Sequence, residues 1–334
     1  MTNSVQWLAS AAQHVAKDKR DAATSLQLQC PSCRKTLLAS GLYPQPCCTE
    51  CGFRVLQENG VFRALPQDRV LYFRQFIHDY EMVRQKEGRG SASAEYYLQL
   101  PYKDVTGRNG WQWEIRGRTF RYMERHTLPA IERAYPRGCD VLDLGAGNCW
   151  LSFRMALRGH RPVAVDLLDN DGDGLGSAKH YLGRLRRPFA RFQAEMDRLP
   201  FADEQFDIAV FNASFHYSVD YEQTLREALR SLRRPGYVVI ADSPFYRHDT
   251  SGQLMREEKH AAFQRQFGFR SDSIPSREFL TGEILDNLAA KFALQWQVLK
   301  PWYGLNWALR PIKAQVLRRR EPSKFFLICA KVSR

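Results

Sequence analysis

The sequence predicts an α/β protein: a seven-stranded, mostly parallel sheet with helices on both faces, preceded by a small cysteine-bearing module. Three observations predict it. From residue 138 onward, five short apolar strands alternate with helical stretches: "DVLDLG", "RPVAVD", "RFQAEM", "FDIAVFNA" and "GYVVIADS". Two more strands, "FALQWQVLK" and "KFFLICAKV", flank a basic segment near the end of the sequence. Two Cys-x-x-Cys pairs lie within residues 30–51. Strands joined through helices pair in parallel by right-handed crossovers. The last two read as a hairpin-like pair that gives the sheet an antiparallel edge.

A chain of 334 residues suits two or three compact units. Residues 1–25 read as an amphipathic helix with Trp7, Leu8, Ala11, Ala12 and Val15 on one face. Residues 26–65 form the cysteine-rich, strand-like module, and 66–135 a helical lead-in that covers the acceptor side. Residues 136–334 form the main α/β domain, with substrate-side elements at 245–320. No run of about 18 uncharged apolar residues occurs, so no membrane span is expected. The first residues lack a positive leader before an apolar block. A cytoplasmic, reducing setting is therefore expected, in which paired cysteines mean metal more often than disulfide.

Lys and Arg number 49 against 36 Asp and Glu, a formal charge of +13. Much of the excess lies in "RLRRPFAR" (184–191), "RSLRR" (230–234) and "RPIKAQVLRRR" (310–320). Charge speaks to partners rather than fold. Nucleic acid, an acidic substrate, a membrane surface and plain solvated helix faces all fit it.

The stretch "CDVLDLGAGNCWLSFRMALRGHRPVAVD" (139–166) reads as strand, glycine turn, helix and second strand ending in an acid. That order opens a Rossmann-like nucleotide site. A dinucleotide-binding turn keeps a third glycine so that the helix packs tightly beside the phosphates. Here the turn is Gly145-Ala146-Gly147-Asn148-Cys149-Trp150, with a tryptophan at that position. Asp143, two residues ahead of the first glycine, is expected to point its charge into the site. A carboxylate there repels a pyrophosphate and attracts an ammonium or sulfonium group. S-adenosylmethionine is the common nucleoside with that character. Gly145 and Gly147 permit positive φ and close backbone approach, and the helix start at Asn148–Trp150 can receive the methionine carboxylate. Gly159 is placed to end the helix. Asp166, followed by Leu167, lies at the end of the second strand and suits two ribose hydroxyls. Glu195 follows the next strand and suits the adenine amino group, with Met196 against the ring. The end of "FDIAVFNASFHY" delivers Asn212 to His216 beside the sulfonium.

With "VLDLGAGNC", "VAVD", "AEMDRLPFADEQFD" and "LREALRSLRRPGYVVIAD", residues 140–243 resemble the class I S-adenosylmethionine-dependent methyltransferases, particularly the type 11 group. The resemblance implies that Asp143, Gly145 and Gly147 serve the methionine end, Asp166 the ribose, and Glu195 with Met196 the adenine. Two positions depart from the group's pattern: Cys149 replaces a small residue of the turn, and Glu195 stands where Asp is commoner. His216 and Tyr217 stand where this group often places active-site side chains; a base role and a purely structural one are both open. No Asn/Asp-Pro-Pro-Tyr follows the fourth strand, which argues against methylation of an exocyclic adenine nitrogen.

Cys30 and Cys33, then Cys48 and Cys51, are separated by fourteen residues. Four thiolates on two tight turns predict a closed, structural Zn2+ site resembling a zinc ribbon, with Cys47 a bystander. "DNDGDG" (169–174) matches the first half of a calcium loop, but position twelve is His180 rather than a bidentate Glu, so a loop cap is expected. The Trp and Tyr residues of 96–113 line an acceptor pocket or fill the core. The function expected is methyl transfer to a small or lipid-like metabolite. The alternatives are a zinc-ribbon ribosomal RNA methyltransferase, favoured by the charge, and a non-catalytic adaptor that binds S-adenosylmethionine.

Overall fold

The computed structural model describes residues 26–38 and 45–333, so the helix expected over 1–25 lies outside the described residues. After the cysteine module come β1 (Leu56–Glu58) and β2 (Val61–Arg63). They turn over Asn59-Gly60, both at positive φ, as a two-residue hairpin turn demands. The helical lead-in follows as α1 (Gln67–Lys86), α2 (Ala94–Gln99), α3 (Gly110–His126) and α4 (Leu128–Ala134). Strands and helices then alternate through β3 (Asp140–Leu144), α5 (Trp150–Leu157), β4 (Arg161–Asp166), α6 (Lys179–Leu182), β5 (Ala190–Gln193) and β6 (Phe206–Asn212). Next come α7 (Tyr221–Ser231), β7 (Leu232–Ala241), α8 (Asp249–Phe267) and α9 (Gly282–Phe292). The chain closes with β8 (Gln297–Leu299), α10 (Leu305–Ala308), α11 (Arg310–Val316) and β9 (Leu327–Val332).

The seven expected strands are β3 to β9. Strands β3 to β7 pair in parallel, and β9 runs antiparallel between β7 and β8. The sheet is wider than expected, however. Its order is β1-β2-β5-β4-β3-β6-β7-β9-β8, because β2 adds in parallel to β5 through Phe62 opposite Phe192 and Arg63 opposite Gln193. The hairpin of the cysteine module thus covers an edge that would otherwise expose unpaired backbone groups. Phe62 stacks on Phe192 at 4.8 Å between ring centroids. The Asn-Gly pair was the sequence signal for this hairpin.

The middle strands are buried on both faces and alternate between two cores. Val141, Ile208, Val210 and Val239 face the side of α3 and α5, while Leu142, Leu144, Phe211 and Ile240 face the other. That second core also holds Cys30, Cys48 and Val55, so the cysteine module shares a core with the main domain. Trp150 faces the first core. Its ring meets Phe120 edge-on at 5.4 Å and Trp113 at 6.4 Å. Such pairs add about 0.5–1.5 kcal/mol each beyond burial. A tryptophan fits at the third-glycine position because α5 packs there on α3. Helix α5 ends where expected: Gly159 follows its last turn at φ 87°.

Candidate functional site

The carboxyl ends of β3, β4, β5 and β6 open into a cleft of about 210 Å³. Its floor is Gly145–Asn148, then Asp166–Leu168, Ala194–Asp197 and Asn212–Ser214. Its roof is one face of α1. Arg69, Phe73, Phe76, Tyr80 and Arg84 recur every three or four residues and all line the cleft. The sequence-predicted positions of the turn, of Asp166 and Leu167, of Glu195 and Met196, and of Asn212 are therefore together on one cleft.

Gly145 and Gly147 have φ of 72° and 51°. A Cβ on Gly145 would lie 2.3 Å from that of Ser214, so glycine is needed there for the approach of β6 as well as for the turn. Cys149 also takes a left-handed conformation, φ 63°, where a small residue was expected. The amides of Gly145 and Ala146 bond to the carbonyl of Val165, which ties the turn to β4.

Two expectations for this turn are corrected. Asp143 does not line the cleft. It is 1% exposed, on the α5 face of β3, and its Oδ2 accepts from the amide (3.1 Å) and hydroxyl (2.7 Å) of Ser152. Strand alternation turns it to the first turn of α5, where it complements the helix dipole. Burial pushes its carboxyl up to about 7, with the two Ser152 bonds opposing. The start of α5 is likewise partly spent: the Trp150 amide donates to Asn148 Oδ1 at 3.3 Å, and Asn148 Nδ2 donates to Asp173 Oδ1 at 3.2 Å. A carboxylate arriving at this helix start finds two of its amides already taken.

Asp166 lines the cleft as expected, its oxygens accepting from the amides of Leu168 (2.8 Å) and Gly147 (2.7 Å). Burial raises it to about 6. Each oxygen keeps a lone pair for a further donor. Glu195 lines the cleft but is not free. Arg69 grips it, Nε reaching Oε1 at 2.9 Å and Nη2 reaching Oε2 at 2.7 Å. Burial raises Glu195 to about 7, with the Arg69 bond opposing. Arg69 comes from 126 residues upstream, and only the fold of α1 over the strand ends brings it here.

A second chamber of about 250 Å³ adjoins the cleft and shares Tyr80, Arg84, Arg116 and Tyr217 with it. His216 lines this chamber from a single turn of 3-10 helix, with Nδ1 3.2 Å from Ser243 Oγ. Burial drives its pKa down to about 3, assisted by Lys259 and Arg116. His216 is therefore neutral and a poor proton acceptor. Tyr217 lies edge-on to Tyr80 at 5.8 Å, and burial raises its hydroxyl pKa. Asp242, which sequence reasoning missed, lines the same chamber at the end of β7. The Thr119 hydroxyl donates to its Oδ1 at 2.6 Å, and the Tyr303 hydroxyl lies 2.7 Å from that of Thr119. Burial raises Asp242 to about 6, with Thr119, Arg116 and Asn212 opposing. Its position just after the fifth strand was the available signal. Of the 96–113 aromatics, Tyr96, Tyr97 and Trp113 are core, while Trp111 is exposed at the chamber mouth.

The acids of 169–174 are each held by a base: Asp169 by Arg63, Asp171 by Lys179 and Asp173 by Arg84. Asn170 Oδ1 caps the amides of Gly172, Asp173 and Gly174. This is the loop cap expected. Elsewhere, the sulfurs of Cys30, Cys33, Cys48 and Cys51 lie within 4.8 Å of one another, three pairs at 3.3–3.7 Å. A tetrahedron with Zn–S bonds of 2.3 Å needs about 3.8 Å. The two knuckles match bond for bond. Cys30 and Cys48 donate to the carbonyls of Lys35 and Phe53, and accept from Arg34 and Gly52, both at positive φ. The donor set fits Zn2+.

The strand order from β5 to β8 and the cleft at the strand ends agree with the class I methyltransferase fold that the sequence resembles. Residues 142–240 match the family described as Methyltransferase domain. A demethylmenaquinone methyltransferase of Mycobacterium marinum is 33% identical over 122 residues, covering 36% of this chain and 48% of that protein. A malonyl-[acyl-carrier protein] O-methyltransferase of Erwinia pyrifoliae is 30% identical over 168 residues, covering 49% and 56%. The chain thus spans about half the length of the curated relatives it matches. A solved 1,6-didemethyltoxoflavin-N1-methyltransferase of Burkholderia thailandensis is 17% identical, covering 77% of this chain and 91% of that one, with a TM-score of 0.41. No helix among the described residues is long and apolar enough to cross a membrane.

Proposed function

We propose that the protein is a methyltransferase that carries the methyl group of S-adenosylmethionine to a small or lipid-like acceptor in the second chamber. One observation carries this reading. The cleft at the strand ends is lined by five carboxylates (Asp166, Asp173, Glu195, Asp197, Asp220) against three guanidiniums (Arg69, Arg84, Arg116). Such a lining favours a cationic nucleoside over a pyrophosphate.

In this reading Gly145, Ala146, Gly147 and Asn148 border the methionine end. Asp166 and Leu167 serve the ribose, Glu195 and Met196 the adenine with Arg69 beside them, and Asn212 lies near the sulfur. The bound nucleoside supplies an electrophilic methyl group on a sulfonium. The chain's own contribution is to align an acceptor, exclude water under α1 and take a proton where the acceptor carries one. Asp242 suits that last role better than His216, since its raised pKa still leaves an ionised carboxylate at neutral pH. His216 and Tyr217 then shape the wall between the two chambers. The lead-in of residues 66–135 acts as cover, as does part of 245–320. Cys30, Cys33, Cys48 and Cys51 hold a structural Zn2+ that supports the edge of the sheet, in a cytoplasmic protein. The names of the curated relatives support a small or lipid-like acceptor over RNA.

Radiolabelled S-adenosylmethionine offered with a reduced demethylmenaquinone and with a malonyl thioester tests the reading. Label in an extracted acceptor supports it. Failure of the protein to bind S-adenosylmethionine contradicts it. Purified protein should also contain one zinc per chain, lost in Cys48→Ser; a metal-free protein with the same fold would remove the zinc assignment.

A further inference from the structure

Resting on the methyltransferase reading, we propose that the second chamber selects an acceptor bearing a carboxylate, which docks on Arg89 and Arg116. The charged groups of this chamber are nearly all accounted for. Lys259 is paired with Glu278 at 2.7 Å and Arg84 with Asp173 at 2.5 Å. Asp242 Oδ1 is held by Thr119, while its Oδ2 has no hydrogen-bond partner among the described residues. Arg116 makes no hydrogen bond or ion pair among the described residues; its guanidinium rests 4.8 Å from the centroid of Trp113 and borders both cavities. Arg89 borders the second chamber alone. Its side chain is 3% exposed, Nε contacts Glu87 and Nη2 contacts Gln112, yet Nη1 has no partner among the described residues.

A buried guanidinium nitrogen without an acceptor is expensive, and a second guanidinium nearby adds repulsion. One bound anion relieves both. Arg84 and Lys259 are matched by Asp173 and Glu278, so an incoming anion answers to Arg89 and Arg116 alone, which suits a carboxylate better than a phosphate dianion. The rest of the wall is apolar, with Phe76, Ile115, Phe263 and Phe325. An acceptor with a hydrocarbon or aromatic body and one carboxylate matches it.

The test uses full-length protein saturated with S-adenosylhomocysteine, the affinity for which is measured first. Benzoate, 4-hydroxybenzoate and octanoate are then titrated beside their primary amides. At least one acid should bind about tenfold or more tighter than its amide, the scale of one charge-assisted contact. Arg89→Met, at a residue that borders the chamber alone, should abolish that preference while leaving affinity for S-adenosylhomocysteine unchanged, and Arg116→Met should abolish it too. Acids and amides binding alike, or not at all, overturns the proposal. So does an acid preference that survives in both variants. Failure of wild-type protein to bind S-adenosylhomocysteine would instead sink the methyltransferase reading, with the acid preference still measurable by itself.

A separate observation carries a second inference: the geometry points to an anionic lipid surface as the partner of α10 and α11. Leu305, Leu309, Ile312 and Val316 recur at helical spacing, and all four are exposed, as is Trp302. Lys313, Arg318 and Arg319 flank them in the open, and residues 301–320 contain no acid. An apolar stripe edged by cations is the pattern of a helix lying in a membrane interface, whereas RNA has no use for the stripe. On the other side of α10, Trp307 stacks on Phe325, a wall residue of the second chamber. Flotation with phosphatidylcholine vesicles containing about one third phosphatidylglycerol tests this. Binding should fall about tenfold in the combined variant Leu309→Glu, Ile312→Glu, Val316→Glu, and on pure phosphatidylcholine. Equal binding by the variant, or no vesicle binding at all, overturns it. Retention of ribosomal RNA by this face without vesicle binding would do so too.

Discussion

The two cavities share a wall of Tyr80, Arg84, Arg116 and Tyr217, yet their charges are arranged differently. In the cleft, carboxylates outnumber guanidiniums; in the chamber beyond, cations outnumber carboxylates. The cleft's floor is made of strand ends and one glycine turn, elements fixed by the sheet, under a roof from α1. The chamber is made of helices, α1, α3 and α8, with loops after β6 and β7. The difference teaches which cavity a fold class dictates and which one a particular chain is free to shape. Strand ends converge in every protein of this topology, whereas helices laid over them bring whatever side chains their own faces carry.

The largest effect expected belongs to the chamber. If Asp242 takes the acceptor's proton, Asp242→Asn should lower kcat about a hundredfold or more, the scale of general-base catalysis. Its ionised form is the active one, so kcat/KM of the wild type should fall as pH drops through about 6. A rate that stays level across that range, with Asp242→Asn as active as wild type, returns the role to another group.

Next comes the cleft. Asp166→Ala should weaken S-adenosylmethionine binding by about 1.5–3 kcal/mol, the scale of hydrogen bonds to a charged group. Unchanged calorimetric affinity would remove the ribose assignment. The same variant frees the Gly147 and Leu168 amides, whereas Asp166→Asn, with one oxygen left, still accepts from one of them.

The smallest effect concerns Asp143, which belongs to neither cavity. Its folded pKa, about 7, lies above the value of roughly 3.9 for a free carboxyl. Between those values the folded protein holds a proton that the unfolded chain has lost, so this group's share of stability falls as pH rises. Asp143→Asn removes that loss and keeps an oxygen for Ser152. Relative to wild type, the variant should gain stability from about pH 4 to about pH 7 by denaturant melts, and hold that gain above it. A difference that does not change with pH would contradict the assignment of Asp143 as a buried cap.

Much of the cleft was legible because it is local. Gly145, Gly147 and Asp166 sit within one strand-turn-helix-strand unit, and their spacing alone brings them together. The Cys-x-x-Cys knuckles were legible for the same reason, two tight turns carrying equivalent bonds. The direction of Asp143 was misjudged, although strand alternation fixes it: Val141 shares its face and lies in the core under α5. Arg69 and Arg116 were not legible. Each depends on how a helix crosses the sheet, which sequence periodicity does not set. The hairpin β1–β2 carried its Asn-Gly signal, but its pairing with β5, some 130 residues later, is a tertiary contact that no local pattern encodes.

The account depends most on the acidic cleft preferring a positively charged sulfur nucleoside to a phosphate-bearing one. Titration calorimetry of the full chain with S-adenosylmethionine, S-adenosylhomocysteine and NAD, at one ionic strength, tests this most directly. The account predicts binding of the first two and none of the third. Uptake of NAD with indifference to both sulfur nucleosides would contradict it.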